Sequence, residues 1–188
     1  MRLCSIAHKK WKVDNAGVAE LLGLRPNAPL DPWQYAKHLD ATVLDFHALG
    51  LSKQSHRQLT INDPDSWSAM TIQLNAKFAI VMNPSHALTR QRSDLMHELG
   101  HIELLHFPAR VEVSQTGLLL LSDYSDEQEQ EADWFAAALL VPRDGLVKLR
   151  AARKTPAEIA AHFGVSEPLC QWRIHATGVD TQLHRARR

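Results

Sequence analysis

"RSDLMHELGHIELLH", residues 92–106, decides how this chain is read. It sets two histidines four apart, His97 and His101, with Glu98 directly after the first. On an α-helix, residues four apart lie on one face, one turn above each other. Both imidazoles can therefore reach one metal ion at about 2.0–2.1 Å. Glu98 lies roughly 100° around the helix from His97. That is too far round for a third ligand, but it suits a general base beside a water held at the metal. The pattern predicts a helix running to about His106, capped by Thr89 or Ser93 and stopped by Pro108. Leu95, Leu99, Ile102 and Leu105 give it an apolar surface to bury. Gly100 costs about 1 kcal/mol of helix propensity against Ala, a cost that close approach of another backbone would explain.

The chain has eleven histidines, so the pattern alone does not establish a site. Catalytic zinc sites use three protein ligands and a water, and the third ligand has to come from elsewhere. His106 is five residues past His101, off the ligand face, and reads as a helix C-cap or surface residue. A second helix is predicted from Asp126, "DEQEQEADWFAAALL", closed by Pro142. Glu131, Phe135, Ala138 and Leu139 fall on one stripe of it. A carboxylate on a stripe that faces the core needs a charged partner or a metal, so Glu131 is the expected third ligand. Glu127 lies one turn earlier on the same face. Glu129 and Asp133 fall on another face and read as the acidity common at helix N-termini.

The remaining chain gives the setting. Its 188 residues suit one domain, or one with a small appendage. Lys+Arg equals Asp+Glu at 21 each, so the strongly basic footprint of many nucleic-acid binders is absent. Only the tail "LHRARR" is locally basic, and it reads as a solvated end. Cys4 and Cys170 alone support neither a disulfide framework nor a cysteine zinc knuckle, which points to a reducing, cytoplasmic setting. No apolar window reaches membrane-spanning length, and the N-terminus has no signal-like apolar core. Helices are predicted at 14–24 and in "LDPWQYAKHLD", where Asp31 caps and Pro32 takes the first position. "ATVLDF" (41–46) reads as a strand and 47–66 as polar loop with the Asn62-Asp63-Pro64 turn signal. "SAMTIQL" (68–74) and "KFAIVMN" (77–83) read as a hairpin, which Pro84 ends. The state of 109–124, with its apolar "GLLLL", is open. Three helices follow, at 143–152, 155–163 and 166–177, the last two joined by a Gly164-Val165 turn.

Two segments together resemble the ImmA/IrrE family of metallopeptidases. "HELGHIELLH" is similar to that family's zinc helix, and "EADWFAAALLVP" (131–142) to its second signature. "FAIVMNPSH" (78–86) and "TPAEIAAHFGVSEPLCQWRIHATGV" (155–179) resemble further family elements. The likeness runs from about 15 to 178 and is strongest in 77–142. One departure is the approach to the zinc helix, where Asp94 and Met96 stand in a stretch that is Phe-Thr-x-Ala-like in many members.

The resemblance implies an α+β, zincin-like fold, with a small twisted sheet on the HExxH helix and a helical C-terminal part containing a helix-turn-helix-like unit. The expected division is a metallopeptidase domain at 1–145, a helical unit at 146–178 and a basic tail at 179–188. The resemblance further implies that His97, His101 and Glu131 bind Zn2+ and that Glu98 is the catalytic acid/base. It implies a protein substrate, a helix-turn-helix repressor whose cleavage releases mobile-element or stress-response genes. Two His and one carboxylate also suit Mn2+ or Fe2+.

Two other readings compete. A DNA-binding regulator would use 160–174, where Glu167, Gln171, Arg173 and His175 are a thin supply of base- and phosphate-reading groups. A toxin–antitoxin partner would use the pocket only for binding, but it would have no need of Glu98. For peptide recognition, the hairpin edge at 68–83 is the candidate for strand pairing with substrate.

Overall fold

The computed structural model describes residues 23, 25, 27–74, 77–108, 110–113 and 119–186. The helix expected at 14–24 lies outside them, apart from residue 23. The first described helix, α1 (Pro32–His38), starts as the sequence predicts. Asp31 Oδ1 accepts from the Trp33 N–H at 3.1 Å, and Pro32 occupies the first turn. Strand β1 (Ala41–Leu44) follows. The stretch read as loop is a chain of short helical turns, including α2 (Lys53–Arg57) and a 3-10 turn at Pro64–Ser66. Ser52 caps α2 by accepting from the Ser55 N–H, a local signal that the polar composition hid.

Strands β2 (Ala69–Leu74) and β3 (Lys77–Met82) form the expected antiparallel hairpin, with Leu74 opposite Lys77. The ambiguous stretch after the HExxH motif supplies β4 (Arg110–Val113) and β5 (Leu119–Ser122). The sheet order is β1-β3-β2-β5-β4, with β1 parallel to β3 and the other pairs antiparallel. This corrects the edge expectation for β3. Both hairpin strands lie inside the sheet, and 78–81 are paired on both sides, by β1 and β2, whereas β2 is paired with β5 only at Thr71–Gln73. The free edges among the described strands belong to β1 and β4.

One face of the sheet carries α3 (Leu88–Glu103), the HExxH helix. Its cap differs from expectation. Ala87 stands at the N-cap with no side-chain bond, and Gln91 instead donates to the His86 carbonyl at 2.7 Å. The helix stops at Glu103, and Leu105 turns the chain at φ 56°. Leu105 is consequently exposed, whereas Leu95 and Leu99 are fully buried.

Helix α4 (Asp126–Leu140) crosses α3 and packs on it. Ser125 and Gln128 close a capping box at its start, and acidic residues fill its first turn, where the helix dipole favours them. The backbones approach at Gly100. A Cβ there would lie 3.3 Å from the Ala132 Cα and 3.2 Å from Phe135 Cδ1. This is the close approach that offsets the propensity cost of the glycine.

The C-terminal part is helical: α5 (Arg143–Ala151), α6 (Pro156–Phe163), α7 (Glu167–Thr177) and α8 (Val179–Ala186). Gly164 sits at φ 66° between α6 and α7, which gives the helix-turn-helix-like corner. The stretch expected as a basic tail from 179 is helix α8 as far as Ala186, with Val179 fully buried and Asp180 bridging Arg150 at 2.7 Å, while 184–186 of the LHRARR end are exposed. The architecture is α+β and zincin-like, a small mixed sheet on the HExxH helix with a helical C-terminal part.

Candidate metal centre and active site

The two helices meet where the sequence places its histidines. His97 Nε2 and His101 Nε2 face each other at 2.9 Å. The carboxylate beside them belongs to Glu129. Its Oε2 lies 3.0 Å from His97 Nε2 and 3.7 Å from His101 Nε2. A tetrahedral site with bonds of about 2.0–2.1 Å separates its ligand atoms by roughly 3.3 Å, and these three separations bracket that value. His97, His101 and Glu129 form a candidate metal-holding group.

Glu131 is not brought to the imidazole pair. Its Oε2 accepts from His106 Nε2 at 3.2 Å, and His106 Nδ1 lies 3.0 Å from His101 Nδ1. His106, read from the sequence as a cap or surface group, has a side chain only 6% exposed. The premise that a carboxylate on the buried stripe needs a partner holds, and that partner is His106. Asp133, also set aside as helix-end acidity, stands 2.9 Å from His97 Nδ1. Glu129 and Asp133 are four apart on α4 and share one face, as His97 and His101 do on α3. The spacing alone could not single them out, because Glu127 and Glu131 are also four apart.

The proton inventory supports a cation between the helices. His101 is largely buried, and burial first, then the neighbouring His97 and His106, push its pKa down to about 3. It is neutral at physiological pH, with one ring proton. Placing that proton on Nδ1 lets His101 donate to His106 Nδ1, and His106 then donates from Nε2 to Glu131. The His97 Nδ1–H likewise donates to Asp133. With the Nδ1 protons so placed, the Nε2 of each neutral imidazole is left, with Glu129 Oε2, to hold one cation, the three atoms lying within 4.8 Å of one another. Oriented carboxylate–histidine pairs of this kind fix the tautomer of metal-binding imidazoles. The donor set, two nitrogens and a carboxylate oxygen, fits a divalent ion such as zinc.

Glu98 stands at this centre on the sheet side, where the Thr71 hydroxyl of β2 donates to its Oε2. Burial raises its pKa above the ordinary carboxylate range, and the Thr71 bond and His97 pull against that rise. For His97, burial opposes protonation, but Asp133, Glu98 and Glu129 outweigh it and raise its pKa. Tyr124, which the sequence gave no reason to single out, stacks on His101 with ring centroids 3.7 Å apart and planes 19° from parallel. Burial, then Glu98 and Glu129, raise the phenol's pKa, so it remains protonated at neutral pH.

A cavity of about 610 Å3 opens beside Glu98 and His97. It runs between the Ser68–Ala69 start of β2, α3, α4 and α7, and it is the natural approach for a substrate.

This arrangement defines a class: an α+β scaffold whose HExxH helix and a carboxylate of a second helix together form a candidate metal-holding group. The chain belongs to the family of IrrE N-terminal-like domains, a peptidase family, whose model matches residues 49–175. No curated protein matches the chain in sequence. Among the described residues, no helix is long and apolar enough to cross a membrane.

Proposed function

We propose that this protein is a zinc-dependent endopeptidase with His97, His101 and Glu129 as metal ligands and Glu98 as general acid/base. The observation that carries the reading is the convergence of three lone-pair donors on one point, with Glu98 beside them. A divalent ion bound there would supply Lewis-acid chemistry, acidifying a water and polarising a peptide carbonyl. The protein's own groups do the rest. Asp133 and the His106–Glu131 pair hold the two imidazoles in register. Glu98, its pKa raised toward the working range by burial, takes the proton of the attacking water and returns it to the departing amine. Thr71 fixes the rotamer of Glu98. Tyr124 covers the face of His101 and shields it from bulk water.

The substrate in this proposal is a helix-turn-helix transcriptional repressor, and the resemblance to ImmA/IrrE proteins supports that choice. The DNA-binding alternative is weakened by the packing of α7. Arg173, its best phosphate ligand, is 5% exposed and donates from Nε to the Val141 carbonyl at 3.2 Å. The test is incubation of the metal-loaded protein with a helix-turn-helix repressor, with metal content measured alongside. Glu98→Gln should lower turnover by about 10²–10⁴-fold with metal content unchanged. Equal turnover in the variant removes Glu98 from the chemistry.

A further inference from the structure

Resting on the peptidase reading, we infer that the cavity between α4 and α7 is a side-chain subsite that takes a bulky apolar residue next to the scissile bond. Its near end is formed by His97 and Glu98, so whatever enters it lies against the reacting groups. Its far wall is Ala136, Ala137 and Leu140 of α4 with Leu169 and Trp172 of α7. On α4 these positions continue the face of Glu129 and Asp133. One helix face thus carries ligand, ligand support and then a floor of small residues. Two adjacent alanines leave space where larger side chains would close the pocket.

Trp172 is 43% exposed, yet it is held in place. Its ring meets Trp134 at 4.9 Å between centroids, and the next residue, Arg173, lies buried over that same Trp134 ring at 5.6 Å. A large ring fixed at a cavity mouth contributes contact area with little entropy left to lose.

The cavity also contains Asp94, which raises the question of a cationic occupant. Asp94 Oδ2 makes no hydrogen bond, but two basic groups of the protein already stand near it, His86 Nδ1 at 3.6 Å and Arg90 Nε at 3.8 Å. Asp133 is engaged by His97. Away from these carboxylates the contact surface, Ala136, Ala137, Leu140, Leu169 and Trp172, is aliphatic and aromatic. The favoured residues are Leu, Met and Phe. The inference also gives the helix-turn-helix-like corner a role, as the wall that selects the cleavage site.

The experiment is digestion of a mixed-sequence peptide library by the metal-loaded full chain, with products read by mass spectrometry. Wild type should cut with Leu, Met or Phe enriched at one fixed position beside the bond. Ala137→Leu fills the pocket, and the preference should move to Ala, Ser or Gly with a change in relative kcat/KM of about 10–100-fold. Trp172→Ala opens the mouth and should relax the preference, and being half-exposed it provides the answer if Ala137→Leu does not fold. Cleavage without an apolar preference, or the same preference in every folded variant, overturns the subsite and leaves the peptidase intact. If the metal-loaded wild type cuts neither library nor repressor, the peptidase reading fails and the subsite falls with it.

Discussion

Removing Glu129 and removing Glu131 should have different consequences for metal binding, although the two are only two residues apart on one helix. Glu129 Oε2 stands 3.0 and 3.7 Å from the two imidazole nitrogens, so Glu129→Ala takes a charged donor out of a three-donor set. Glu131 acts at one remove, through His106 onto His101 Nδ1. Glu131→Ala leaves the His106 Nε2–H without its acceptor in a largely buried place, a local cost of about 1–3 kcal/mol. Only the part that loosens His101 reaches the metal, and losses of such supporting partners typically lower affinity about 10–100-fold. Glu129→Ala should exceed that range, a loss of more than about 2.8 kcal/mol at 1.4 kcal/mol per tenfold. Competition for Zn2+ against a chromophoric chelator measures both. The relay adds a second check: His106→Ala and Glu131→Ala interrupt the same chain, so the double variant should cost little more than either single one. If Glu131→Ala proves more damaging than Glu129→Ala, the ligand assignment is reversed. Full additivity of the relay pair would show that Glu131 does not act through His106.

Three further outcomes follow from particular contacts. Thr71→Val removes the donor that holds down the pKa of Glu98, so the acid limb of the pH–kcat/KM profile should move to higher pH; an unmoved limb would separate Thr71 from the base. Gly100→Ala gains about 1 kcal/mol of helix propensity but drives a methyl toward the Ala132 backbone at 3.3 Å, an overpacking that costs about 1–3 kcal/mol. Melting temperature and zinc affinity should fall together, because the contact sets the spacing of the two ligand-bearing helices. Glu158 has its pKa lowered to about 2 by the Lys154 ammonium and the Thr155 backbone N–H. A depressed carboxylate stabilises the fold above its unfolded value near 4.5, and the gain is lost as pH falls from there through about 2. The melting-temperature advantage over Glu158→Gln should shrink across that acid range and stay level above it.

The parts of this protein that were legible in sequence are those in which one helix or hairpin settles the matter alone. The His97–Glu98–His101 face, the Asp31–Pro32 start of α1, the β2–β3 hairpin and the α6–α7 corner all follow from short-range periodicity and capping. The misread parts depend on how two elements cross. Helical periodicity correctly put Glu131 on the stripe of Phe135, Ala138 and Leu139, and the last three of these are buried. It could not reveal that α4 has a second working face, formed by Glu129, Asp133, Ala136, Ala137 and Leu140, which turns toward α3 and the cavity. Nor could it show that the chain turns at Leu105 and folds His106 back under His101. A helix with one buried face gives a carboxylate one place to be needed; a helix wedged between a core and a cleft gives it two. Near a metal centre, then, the burial argument identifies residues that need a partner without distinguishing the ligand from the residue that orients one. Spacing does not distinguish them either, since Glu127 with Glu131 and Glu129 with Asp133 are both four apart; it is the helix crossing that sets Glu129 against both imidazoles and Asp133 behind one of them.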